Sequence, residues 1–90
     1  MTTVLISHTD CLGHITPGAH PERLERLISI NNSLDDLDDP NLIRLEAPLG
    51  KDLDILRAHS KKYLENLKKS TPSSGVVSLD ADTFMSEGSL

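Results

Sequence analysis

The chain has 90 residues, 37% of them hydrophobic and only two aromatic, Tyr63 and Phe84. Fifteen Leu, six Ile, three Val and one Phe make it too aliphatic for a disordered polymer, which typically holds less than about 20% of such residues. This length allows one domain with a thin aliphatic core, and a net charge of −5 without a basic stripe excludes an electrostatic nucleic-acid module.

The first residues, Met1 to His8, have no basic n-region and no long apolar stretch, so no signal peptide is expected. No run approaches the ~18 apolar residues of a membrane span. The lone cysteine, Cys11, excludes an internal disulfide and points to a reducing compartment. The expectation is a cytoplasmic protein with neither a membrane nor a nucleic acid as partner.

Val4-Leu5-Ile6 predicts a buried strand near residues 3–7. Residues 8–20 carry three His, two Gly, Pro17 and Cys11 and read as a long loop. Pro21 suits a first helical turn, and Leu24, Leu27, Ile28, Ile30, Leu34 and Leu37 recur at helical spacing, which predicts an amphipathic helix near 21–37. The acidic run Asp35-Asp36-Leu37-Asp38-Asp39 reads as a solvated turn behind it, and Pro40 ends the segment.

Residues 42–46 read as a second strand, closed by Pro48 and Gly50. Asp52 to Lys69 reads as a single helix whose apolar face holds Leu53, Leu56, His59, Tyr63 and Leu67. Residues 71–75 are a linker, 76–80 an extended segment, and 81–88 a loop. Ser86 to Leu90 has the look of a helix start. The order strand, helix, strand, helix predicts an α/β chain, a βαβα unit with two parallel strands. Two strands and two helices cannot cover both faces of a parallel sheet, so the sheet is expected to be incomplete. An apolar face and open edges then predict self-association.

Candidate chemistry is sparse. His8, Asp10, Cys11, His14 and His20 crowd one segment, but the spacing fits no zinc pattern and a second Cys is missing. Their ordinary role is loop polarity and backbone capping. His59, on an apolar helix face, reads as a satisfied core histidine. Cys11 has no basic neighbour to activate it. Asp80 and Asp82, two apart in an extended segment, point to opposite faces and do not read as an acid/base pair. Asp82-Thr83 by itself reads as a turn cap.

Four segments in order carry a resemblance. They are His20 to Leu27 (HPERLERL), Leu56 to Leu64 (LRAHSKKYL), Ser78 to Thr83 (SLDADT) and Ser86 to Ser89 (SEGS). Together they resemble the N-terminal part of the histone deacetylase and acetylpolyamine amidohydrolase family, in its bacterial class II-like branch, across essentially the whole chain. The departure is Leu24, where the family usually has proline. The resemblance implies part of an arginase-like α/β fold. It also implies a catalytic zinc, held by two Asp and one His, and hydrolysis of an N-acetyl amide such as acetyl-lysine or an acetylpolyamine. Those ligands and catalytic residues match no position of this chain, so residues 1–90 alone are expected to bind no zinc and to be inactive.

Two residues match functional positions of the family. Arg26 matches the arginine of the internal channel, whose planar fork suits acetate. Asp82 matches the rim carboxylate that accepts hydrogen bonds from substrate amides. His20 and His59 match positions that look structural. The alternative from another class is a non-catalytic interaction module that self-associates through its open sheet edge.

Overall fold

The aliphatic runs at both ends of the first helical segment form a parallel pair. In the computed structural model, which describes residues 1–90, β1 (Thr3–Ser7) pairs with β2 (Leu42–Glu46) in the register Thr3↔Leu42 to Ser7↔Glu46. Between them lie a short 3₁₀ helix (Thr9–Gly13) and α1 (Leu24–Asp36). The Nδ1 of His8 caps the 3₁₀ helix by accepting from the Asp10 amide at 3.0 Å.

Helix α1 begins three residues later than Pro21 suggests. The Thr16 hydroxyl donates to the Glu22 carbonyl, and His20 Nδ1 accepts from the Glu22 amide at 3.1 Å. These bonds hold Pro21-Glu22 in a bend and leave Arg23 extended at φ −147°, so Leu24 is the first helical residue. At the other end the helix stops at Asp36, and Asp38 turns the chain in the left-handed region at φ 42°, a conformation that a short polar side chain tolerates.

The single helix expected over 52–69 is two. Helix α2 covers Asp52–Ile55, and α3 covers Lys61–Ser70. The break has a local cause: the Ser60 hydroxyl accepts from the Tyr63 amide at 3.1 Å and caps a new helix. The interruption rotates the apolar face. Leu64 becomes buried, whereas Leu53 is 76% exposed and His59 lies in solvent with its ring stacked on Tyr63. His59 is therefore not a core histidine.

Residues 81–88 are not all loop. Val76–Ser78 (β3) and Phe84–Ser86 (β4) form an antiparallel hairpin, entered through Gly75 at φ 68°, a backbone setting that glycine accepts without strain. Glu87-Gly88 is a turn and not a helix start. The molecule is thus mixed α/β with one parallel and one antiparallel pair.

Little of it is buried. Only Leu64, Met85 and Ser86 are buried, the last among hydrogen-bond partners. On β1–β2, Arg44 pairs with Asp35 of α1 at 2.8 Å, and Leu5 and Leu42 on that face are half-buried. The opposite face, Val4, Ile6, Ile43 and Leu45, is exposed. The radius of gyration is 15.8 Å, against about 12 Å for a packed domain of this length. The accessible surface is 7127 Å², against about 5,200 Å².

Candidate functional site

The turn between β3 and β4 is built by its own side chains. The Asp80 carboxylate accepts from the Asp82 amide at 2.8 Å, and the Leu79 amide donates to the Thr83 carbonyl at 2.8 Å. The Asp82 amide, followed by the Thr83 hydroxyl, holds the Asp80 carboxyl below its usual range. Asp80 is thus the residue that caps the turn, and Asp82 is free of that task.

Asp82 meets His20 instead, 62 residues away in sequence. The His20 Nε2 is 3.1 Å from Asp82 Oδ1 and 3.3 Å from the Asp82 carbonyl. Because Nδ1 accepts from the Glu22 amide, the neutral ring carries its proton on Nε2, facing Asp82. The ring is 13% exposed and packs T-shaped with Phe84, centroids 5.3 Å apart, while the Asp82 side chain is 91% exposed. Partial burial pushes the imidazole pKa down. The Asp82 hydrogen bond, the Glu22 and Asp82 carbonyls and the Asp82 charge outweigh it and leave the pKa above 6.5. A second proton on Nδ1 finds the Glu22 carbonyl at 3.3 Å.

A second cluster pins the end of the hairpin to the segment after the 3₁₀ helix. Ser86 Oγ accepts from the Ile15 amide at 2.8 Å and donates to the Gly13 carbonyl at 3.1 Å. Ser89 Oγ accepts from the Ser86 amide at 2.7 Å and lies 2.6 Å from His14 Nδ1. Gly88 lies directly on Gly13: a Cβ there would sit 2.9 Å from the Gly13 Cα, closer than any side chain can approach. The Ser-Glu-Gly-Ser motif therefore works as a clasp. The motif was visible in the sequence; its partners, Gly13 to Ile15, were hidden because nothing local signals a contact across more than 70 residues.

The histidines of the first loop disperse. His8 reaches Glu46 Oε1 at 3.2 Å, His14 reaches Ser89, and His20 reaches Asp82. No three His, Cys, Asp or Glu side chains converge as metal ligands, and Cys11 is exposed.

Arg26 lies on the first turn of α1, beside a shallow groove lined by Pro21, Arg23, Glu25, Ser29 and Ile30. It is exposed, and unlike Arg44 and Arg57 it joins no carboxylate. No hydrogen bond links it to the His20–Asp82 pair. No helix is long and apolar enough to cross a membrane. No protein-family model matches the chain, and no curated protein matches it.

Proposed function

We propose that this chain is the N-terminal portion of a zinc-dependent amidohydrolase of the histone deacetylase and acetylpolyamine amidohydrolase type, with an arginase-like fold. It acts on acetyl-lysine or another acetylated amine. The observation that carries the reading is the His20–Asp82 bond. It joins the His-Pro-Glu-Arg motif to the Ser-Leu-Asp-Ala-Asp-Thr motif across 62 residues, so two segments of the resemblance form one unit.

A second observation supports it. Leu24, where the family usually has proline, is the first residue of α1 and follows an extended Arg23. That is the helical position where proline fits best, and the preceding conformation is the one proline requires.

In this reading Asp82 is the rim carboxylate that grips substrate amides, and its 91% exposure suits that task. Arg26 handles acetate in the internal channel, and its uncommitted guanidinium suits a bidentate carboxylate contact. A zinc held in the complete domain would supply Lewis-acid polarisation of the amide and an activated water. The residues present do not form its site. The cytoplasm is proposed as the compartment from the single Cys11. Sequencing the gene downstream of the Leu90 codon tests the reading. An in-frame His-His pair and an Asp-x-His motif are expected, and a stop codon with no such sequence would overturn it.

One observation favours the alternative, a self-associating interaction module. The surface exceeds that of a packed domain by roughly 1,900 Å², and a stable interface takes only about 800 Å² from each partner. The exposed Val4, Ile6, Ile43 and Leu45 face is the place for such an interface.

A further inference from the structure

We propose that His20 is the positioning residue of Asp82: its Nε2–H fixes the carboxylate by one oxygen and leaves Oδ2 to receive main-chain amides of an acetylated peptide. The proposal deepens the reading of Asp82 as a substrate-rim residue and rests on it.

An aspartate at the tip of a hairpin, 91% exposed, samples several rotamers unless something holds it, and freezing them on binding lowers affinity. His20 supplies the hold. Its ring is anchored on the far side by the Glu22 amide and packs T-shaped against Phe84. Its Nε2 reaches both Oδ1 and the carbonyl of Asp82, so side chain and main chain are clamped together. The Asp82 amide is held separately by Asp80 at 2.8 Å. Within the chain only Oδ1 of the carboxylate is engaged, and Oδ2 keeps its lone pairs for two incoming N–H groups.

Successive main-chain amides of a peptide provide two such donors. A small acetylated amine provides only the amide that undergoes hydrolysis. The arrangement therefore selects peptides bearing acetyl-lysine over small neutral acetamides, and His20 sets that preference without touching the substrate.

The test uses the polypeptide encoded by the native gene, labelled with ¹³C and ¹⁵N, an acetyl-lysine tripeptide with blocked ends, and the neutral amide N-butylacetamide. The readouts are the Asp82 carboxyl resonance across the His20 titration and its displacement by each probe. Two variants separate the roles. His20→Gln keeps an N–H donor, whereas His20→Phe keeps a ring against Phe84 and removes the donor.

In the wild type the Asp82 carboxyl should follow the His20 titration and shift with the tripeptide but not with N-butylacetamide. His20→Gln should bind the tripeptide as the wild type does. His20→Phe should bind it about two- to tenfold more weakly, the net worth of one hydrogen bond. Equal binding by His20→Phe overturns the positioning role and leaves the rim reading standing. An Asp82 carboxyl indifferent to the His20 titration also overturns it. If the carboxyl follows His20 but the tripeptide never moves it, the rim reading is what fails, and the proposal falls with it.

Discussion

Replacing Leu24 with proline tests the local structure that ties this chain to its resemblance. The side chain of Leu24 is half-buried at the first position of α1. Proline there loses part of a leucine's burial, which is worth about 1.5–3 kcal/mol when complete. It gains about 0.4–1 kcal/mol by restricting the unfolded chain. Its own ring replaces some of the lost apolar contact, so the two effects nearly cancel, and the net change should stay within about 1 kcal/mol.

The outcome differs if α1 starts at Pro21, as the sequence alone suggests. Residue 24 would then lie past the first position, where proline removes a backbone donor and crowds the preceding turn at a cost of about 3 kcal/mol. The control is Ile28→Pro, in the interior of α1 at a side chain already 40% exposed. It should cost about 3 kcal/mol. Urea denaturation followed by circular dichroism, at one fixed protein concentration, compares the two. A Leu24→Pro variant as damaged as Ile28→Pro would refute the assigned helix start and the support it gives.

The His20–Asp82 link should weaken with rising pH. Because the folded pKa of His20 is raised, its contribution is complete below 6.5 and is lost as pH climbs through the folded value. Amide exchange of β3–β4 in wild type and His20→Ala, measured across that range, should differ less at high pH, where only the neutral Nε2–H bond to Asp82 remains; a gap that widens there contradicts the assignment. Asp80 behaves oppositely: its lowered pKa gives stability above 3.8 that is lost as pH falls through the folded value. In Asp80→Asn, acid unfolding of the hairpin should lose that step, and an unchanged acid limb would argue against the cap. Gly88→Ala should cost about 1–3 kcal/mol by forcing the clasp off Gly13, seen as a lowered melting temperature and lost protection at Ile15; an unchanged melt rejects the close approach. Ile6→Lys should shift the sedimentation of the isolated chain toward monomer; if the wild type is already a cooperative monomer, the exposed sheet face is not an interface.

The parallel pair was legible because both strands are short aliphatic runs between turn residues, and their limits coincide with Thr3–Ser7 and Leu42–Glu46. Helix α1 was legible in its interior but not at its start. Periodicity cannot register that Thr16 and His20 hold Glu22 out of the helix. Ser60 is the plainest missed signal. A serine inside a helical pattern is a candidate cap, and here the cap divides the helix and exposes His59. The hairpin was missed because β4 is only three residues, Phe84–Ser86, with no alternation to read. Asp82 was singled out by resemblance and not by its own surroundings. Its partner His20, and Asp80 as the true cap, emerge only when the turn is seen in three dimensions.

The most direct test of the central reading is the kinetics of Asp82→Ala and Asp82→Asn in the polypeptide encoded by the native gene, with an acetyl-lysine peptide and a small acetylated amine as substrates. A hydrogen bond to a charged acceptor is worth roughly 1.5–3 kcal/mol. The peptide should therefore lose about ten- to a hundredfold in kcat/KM, the small amine far less, and the zinc content should not change. An equal loss on both substrates with a lowered melting temperature would make Asp82 only a structural partner of His20. The absence of any deacetylase activity in the wild-type polypeptide would contradict the proposed function itself.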